Sequence, residues 1–403
     1  MNRLLYLGFS FPPGMQALFP GVNPAGHAFE TQMVAALRPY FEIKSVGVLP
    51  MERVPVPAGT NPASGVAHEL VLLDKPPEIW HRLRSLVRLK HQYRRWHAAG
   101  WVPDTVLAYN LSPIYNNFLL WLKRQPSCPK RVLLMLDSSQ LGRKLPPFKR
   151  FRYRFKPLAV PDAEMIPEFD ACIGLSQSAG QFFAPRGVPF LWMPGGCTPE
   201  RAVESCEAAL GVTEPIRFGY FGALAAHSGV MPLVESFFAS GLESSLHICG
   251  HGRLGDTLVH LAEWDARLKF HGLLPSTEDC LRLAQSWDVL VNPRPAMQGN
   301  ENNFPSKVFE YALCGRAILT TRMAGVDTVL GPEAFYCDTN DFSENLRDKL
   351  VALAGLPRAE LRRRGIALRE RVIAHYSWPK QAAAMADFIA RRAQPSQDKL
   401  SSR

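Results

Sequence analysis

The chain repeats one pattern along its length: short, almost wholly apolar runs separated by stretches whose apolar residues recur at helical spacing. Buried parallel strands wrapped by helices are the architecture that accommodates such alternation. Arg3–Gly8 reads as a strand, Phe11 to Gly26 as a Pro/Gly-rich loop, and His27–Leu37 as a helix with Phe29, Met33, Ala36 and Leu37 on one face. Val106–Ala108, Val132–Leu136, Ala171–Gly174 and Phe190–Met193 follow as buried strands. After a less regular stretch the pattern restarts. Ile216–Phe221, Leu246–Cys249, Leu268–Phe270, Val289–Asn292 and Ala317–Thr320 read as strands, and Met231–Ala239, Thr277–Gln285 and Ser306–Cys314 as helices. Gly315 stands where a helix C-terminus needs a left-handed residue.

A chain of 403 residues exceeds one ordinary core and suits two domains of roughly 200 residues each. The fold class expected is α/β, with doubly wound domains over 1–200 and 216–375, a connection over 201–215, a helical segment over 376–393 and a disordered polar tail over 394–403. In such sheets ligands bind outside the carboxyl ends of the strands, so the loops there, facing a cleft between the domains, are the places to search.

Hydrophobic residues at 47% and charged residues at 20% are the balance of a soluble globular protein. No apolar run approaches the ~18–20 residues that span a bilayer. The apolar start of the chain is too short for a signal peptide and lacks a cleavage site, so a cytoplasmic location is expected. The eight cysteines form no Cys-x-x-Cys pair, which argues against zinc and for reduced, mostly buried thiols. A net charge of +10 favours anionic partners without choosing among them.

The most informative segment is Asn302-Asn303-Phe304-Pro305-Ser306-Lys307-Val308-Phe309-Glu310. Pro305 suits a helix start, and Ser306 and Asn303 can offer oxygens to unpaired backbone donors. Lys307 and Glu310 share a helix face. Free N–H groups beside a lysine suit phosphate, and a carboxylate one turn along suits a ribose diol. The same spacing also describes an ordinary surface helix.

With the residues that follow it, Tyr311-Ala312-Leu313-Cys314-Gly315-Arg316-Ala317-Ile318-Leu319, this segment resembles the signature of retaining GT-B glycosyltransferases of family 4, glycosyl transferases group 1. Its Phe-Pro-Ser-Lys form is similar to a subgroup acting in bacterial surface polysaccharide synthesis. Further pieces resemble the family in order: Ala171–Ser176, Met193–Cys197, Phe218–Gly222, Leu246–Gly250 with His251-Gly252, Phe270–Leu273 and Tyr376–Trp378. The resemblance implies a GT-B fold, two Rossmann-like domains facing across a cleft, with the last helix crossing back to the first domain. It implies a nucleotide-sugar donor and a saccharide or lipid-diphosphate-linked acceptor. No cofactor is expected, the nucleotide-sugar being a co-substrate. Glu310 inherits the ribose, and Gly222, His251, Gly272 and Leu273 lie along the donor. Gly26 belongs to a loop approaching the donor phosphate, with His27 as proton carrier or acceptor contact. A protein nucleophile is not required, because a donor phosphate oxygen can take the proton of the attacking hydroxyl. No Asp-x-Asp occurs, so a metal-dependent mechanism is not expected.

Several positions depart from the family. The first Glu of its pair falls at Asn302, and its Arg and Lys fall at Ala223 and Ser228. A departing diphosphate needs cations or oriented donors. Lys307 is the first replacement, with Arg294 and His227 behind it. The family's sugar-contacting His falls near Leu136, next to Asp137, which can take a polar role. These losses keep two other readings open, a non-catalytic GT-B-fold binding protein and a GT-B-fold nucleotide-sugar epimerase.

The basic charge collects at 80–101, with Arg82, Arg84, Arg88, Lys90, Arg94 and Arg95 interleaved with Trp80, Tyr93 and Trp96, and at 148–156. Either stretch could dock on an acidic membrane surface, making the enzyme peripheral on the inner face, or be an ordinary solvated face. No nucleic-acid reader motif is present.

Overall fold

The computed structural model describes residues 1–9, 24–49, 69–74, 79–136, 162–202, 214–297, 300 and 303–391. Most of the 201–215 connection, the 148–156 cluster, the 394–403 tail, Asp137 and Asn302 lie outside the described residues. The chain divides into two compact units, Met1–Met193 with Trp378–Arg403, and Pro194–Ser377.

The first unit is built on a parallel sheet of order β3-β2-β1-β4-β5-β6-β7. Its strands are β1 (Asn2–Gly8), β2 (Phe41–Leu49), β3 (Glu69–Asp74), β4 (Thr105–Tyr109), β5 (Lys130–Met135), β6 (Ala171–Gly174) and β7 (Phe190–Trp192). Leu4, Leu5, Tyr6 and Leu7 are all fully buried, as expected where helices cover both faces of a parallel sheet. The register passes Tyr6 to Leu107 and Leu107 to Val132.

Helix Ile79–Ala98 presses Leu86, Leu89, Tyr93 and Trp96 into this core, one per turn. Each such side chain contributes about 1.5–3 kcal/mol on burial. The rings of Tyr93 and Trp121 meet edge-on at 5.6 Å. Lys44 caps Trp96 and Trp101 at 5.3 and 5.0 Å. Tyr93 and Trp96, expected at a membrane, are therefore core, and Arg84, Arg88, Arg94 and Arg95 are among the residues this helix exposes. Among the described residues no helix is long and apolar enough to cross a membrane.

The second unit carries a parallel sheet of order β10-β9-β8-β11-β12-β13. Here β8 is Arg217–Ala223, β9 Ser245–His251, β10 Leu268–Phe270, β11 Val289–Asn292, β12 Ala317–Thr321 and β13 Phe335–Cys337. Helices Val230–Ala239 and Phe342–Ala354 bury Leu233, Val234, Phe237, Leu346 and Leu350 against it.

Two expectations are revised. The first helix begins at Pro24, not His27, because Pro is preorganised for a first helical position, and Gly26 thus sits in its first turn. Strands β2 and β3 and helices Pro113–Leu122 and Gly255–Trp264 join those read from the sequence. The last helix, Trp378–Arg391, packs in the first unit, where Trp378 Nε1 donates to Gln32 Oε1 at 2.5 Å.

Candidate functional site

In the second sheet the chain winds outward from β8 to β9 and β10 on one side and to β11, β12 and β13 on the other. The crevice beyond the carboxyl ends of β8 and β11 is the switch point where doubly wound sheets take ligands. These two strands pair only at Phe218–Val289 and Gly219–Leu290 and then part. At Phe221 the fully buried Tyr311 fills the gap. Its hydroxyl accepts from the Phe221 N–H at 3.1 Å and donates to the Phe221 carbonyl at 3.0 Å. Tyr311 belongs to helix Lys307–Leu313, so this bond pair holds the helix start against the end of β8.

Lys307 consequently lies across Gly222. A Cβ on Gly222 would fall 2.7 Å from Lys307 Cε and 2.8 Å from the Tyr220 hydroxyl. The ammonium stands 5.5 Å from the centre of the Phe221 ring and 3.5 Å from Glu310 Oε2. Both side chains are about one-third exposed, at 36% and 35%, leaving them open to a ligand.

The parting of β8 and β11 also admits Arg294. This half-buried guanidinium donates from Nη1 to the Asn303 carbonyl at 2.9 Å. It has no carboxylate partner among the described residues. Burial holds its pKa below the usual value, yet it remains charged. Its charge acts on Tyr220 and His227. Burial raises Tyr220 to about 12, so its hydroxyl stays protonated and donates to the Ala223 carbonyl at 2.8 Å. Burial first, then Arg294, lowers His227, which is therefore neutral near pH 7. Buried Asn300 braces these loops by donating to the carbonyls of His227 (2.9 Å) and Pro295 (3.0 Å). Gly229, at φ 75°, lets the Pro293 carbonyl approach where any Cβ would clash.

The other expected positions differ in exposure and bonding. Ser306 is exposed and makes no capping bond. The N–H groups of Val308 and Phe309 are already spent on the carbonyls of Pro305 and Ser306, so this short helix offers fewer free donors than its sequence suggests. Phe304 and Pro305 are buried, and the Phe304 ring packs at 5.6 Å from Phe309. His251 is exposed at the end of β9. Gly272, at φ 66°, accepts from the Gly250 N–H at 2.8 Å, and Leu273 beside it is 67% exposed. Ala223 is exposed at the end of β8, while Ser228 is buried.

Gly26 and His27 belong to the first unit, on helix Pro24–Leu37 beyond β1. Burial lowers His27 below its usual pKa, which favours a neutral ring able to accept a proton. Glu30, one turn on and 2% exposed, accepts from the Tyr6 hydroxyl at 2.7 Å and the Phe9 N–H at 2.9 Å, fixing the exit of β1. Near Leu136, whose N–H bonds to Asn110 Oδ1 at 2.8 Å, the described chain ends short of Asp137. Tyr220, Asn300, Tyr311 and Glu30 are not among the residues the sequence singles out. Only the position of Tyr311 beside Glu310 could have drawn notice, because Glu30 and Asn300 act through partners distant in sequence and the Tyr220 bond to Ala223 has no sequence signature. Among the described residues no cluster of three or more His, Cys, Asp or Glu side chains could hold a metal ion.

Residues 215–355 match the family described as glycosyl transferases group 1. No curated protein sequence matches the chain. Sucrose-phosphate synthase from Thermosynechococcus elongatus is a structural neighbour at TM-score 0.68 and 15% identity, covering 97% of this chain and 99% of that one. The α,α-trehalose 6-phosphate synthase of Burkholderia multivorans aligns at 0.67 and 13% identity, over 100% of this chain and 99% of that one. HepE of Anabaena, solved in complex with UDP, aligns at 0.66 and 13% identity, over 96% and 100%. The chain therefore carries a glycosyltransferase group 1 domain within a two-domain, Rossmann-like GT-B fold, the equipment of a sugar-transferring enzyme.

Proposed function

We propose that the protein moves a sugar from a nucleoside-diphosphate sugar to a saccharide or lipid-diphosphate-linked acceptor, with retention and without a metal ion, in bacterial surface polysaccharide synthesis. The observation that carries this reading is Lys307 lying across Gly222 at the switch point, with Glu310 one turn along. A diphosphate over Gly222 would meet the Lys307 ammonium, while Glu310 accepts from the ribose hydroxyls. Arg294, which has no carboxylate partner among the described residues, supplies a second positive charge where Ala223 and Ser228 offer none. Gly272 and Leu273 would receive the base, Gly272 through its backbone and Leu273 through its exposed side chain; His251 lines the same edge.

As the glycosidic bond breaks, negative charge grows on the leaving diphosphate. Cations fixed in place stabilise it without reorganising. A donor phosphate oxygen takes the proton of the attacking hydroxyl, so the protein's task is to hold both substrates in line. Gly26 is assigned to the donor phosphate, and His27, Asp137 and Asn302 to the sugar and acceptor. The exposed arginines of helix Ile79–Ala98 would hold a cytoplasmic enzyme against anionic lipid.

The test is a transfer and hydrolysis assay across nucleotide sugars, UDP-sugars first, with UDP binding measured by calorimetry. Turnover abolished by Lys307→Ala supports the reading. Failure to bind any nucleoside diphosphate refutes it. Binding without turnover would favour the non-catalytic alternative, to which Ala223 and Ser228 already lend weight. Co-sedimentation with phosphatidylglycerol vesicles at low salt tests the membrane step, and absence of binding rejects it.

A further inference from the structure

Two thiols meet at the edge of the donor-side crevice. Cys249, in β9, and Cys280, in helix Thr277–Ala284, have sulfurs 3.7 Å apart, the one sulfur–sulfur contact among the described residues. Cys249 is buried and Cys280 half-exposed, so a small reagent reaches the pair from one side. The remaining buried thiols are engaged or isolated. Cys197 donates to the Val372 carbonyl, Cys314 to the Glu310 carbonyl, and Cys337 lies against Thr321. Burial raises Cys197 and Cys314 to about 12 and Cys337 to about 11, which keeps them inert.

The pair differs in kind. Whichever sulfur ionises first is hydrogen-bonded by the other thiol and attracted by the Lys307 ammonium, which lowers the pKa of Cys249. The second thiol is correspondingly harder to ionise. A stabilised thiolate touching a resolving thiol is the arrangement that oxidises reversibly. Cys128 is exposed but stands alone, and burial raises its thiol.

We propose that Cys249 and Cys280 form a redox modification site, which hydrogen peroxide converts to an intramolecular disulfide linking β9 to helix Thr277–Ala284. The thiolate attacks one peroxide oxygen, the O–O bond breaks, and the departing hydroxide leaves as water after taking a proton. The second sulfur then displaces the hydroxyl of the sulfenic acid as another water. Both thiol hydrogens leave in water, each sulfur gives up one electron, and the peroxide is reduced.

The experiment oxidises the folded full-length chain with one equivalent of hydrogen peroxide, blocks free thiols, and maps non-reduced tryptic peptides by mass spectrometry. Residues 218–253 and 270–282 are separate tryptic peptides, one carrying each cysteine. The expected product is their cross-link, formed before Cys128 is modified and reversed by dithiothreitol. Cys280→Ser abolishes the cross-link. Lys307→Gln leaves it possible but slows it several-fold at neutral pH and shifts its pH midpoint upward. Oxidation of Cys128 with no cross-link overturns the proposal, as does a cross-link that forms only in urea. A rate unchanged in Lys307→Gln would overturn the part assigned to the cation.

Discussion

The Tyr311 hydroxyl takes both backbone bonds of Phe221, accepting from its N–H and donating to its carbonyl, and their rings pack at 4.6 Å. A strand edge freed by the parting of β8 and β11 is thus satisfied by a side chain from the helix that carries Lys307 and Glu310. Tyr311→Phe keeps the ring and deletes the bonds. Two buried backbone groups are then left unpaired, at about 1–3 kcal/mol each. Denaturant unfolding should show a loss of about 2–4 kcal/mol, with turnover falling more than UDP affinity. A loss below ~0.5 kcal/mol would mean that water replaces the hydroxyl and that Tyr311 does not set the helix.

Lys307 and Glu310 form an ion pair at 3.5 Å, but each is about one-third exposed, so the pair adds at most about 1 kcal/mol to stability. Their value should appear in function. Lys307→Ala is expected to lower kcat by roughly 10²–10³. Glu310→Ala should weaken UDP binding by roughly tenfold, in line with a hydrogen bond to a charged group. Gly222→Ala would push the flexible Lys307 side chain aside and crowd the Tyr220 hydroxyl, so it should reproduce part of the first effect and lower Tm as well. Wild-type kinetics from Lys307→Ala and Glu310→Ala would remove both assignments.

The strands with near-continuous apolar runs were legible because parallel strands covered on both faces announce themselves by composition. β6, β10 and β11 fall on the residues expected. β2 was not, because Glu42, Lys44 and Ser45 break its apolar run; Glu42 points outward and Lys44 covers two tryptophans. Helix Pro113–Leu122 had a readable start in Ser112-Pro113, but its apolar residues surround the axis and show little period. Within the site, Lys307 and Glu310 were legible because one turn joins them. The grouping of Tyr220, His227, Arg294 and Asn300 was not, because the order β9-β8-β11 makes neighbours of loops some 70 residues apart, as in the bond from Asn300 to His227.

Arg294 separates a structural from a binding role. A half-buried cation that faces no carboxylate among the described residues is costly to the empty protein, and an apolar side chain of similar length should relieve that cost. Arg294→Met is therefore expected to leave Tm unchanged or raise it slightly, despite losing the bond to Asn303. The Tm increment produced by saturating UDP should shrink, because the anion has lost a partner. If the variant unfolds earlier and UDP still stabilises it fully, Arg294 serves only to hold the Asn303 loop.

A pH test falls on the two histidines behind the crevice. His247 Nδ1 and His271 Nε2 lie 3.0 Å apart, and His247 Nε2 lies 3.0 Å from Ser245 Oγ. Burial, then the neighbouring His271, Arg217 and Lys269, pushes His247 down to about 4; burial also lowers His271. The unfolded chain protonates near pH 6.5, while the folded one resists until lower pH. Between those values the unfolded state binds more protons, so stability falls as pH drops from about 6.5 and levels off below about 4. His247→Asn retains a donor and an acceptor but does not titrate. Across pH 7 to 4.5 its Tm should decline less steeply than that of the wild type, and parallel curves would show that the pair contributes nothing to the acid sensitivity of this unit.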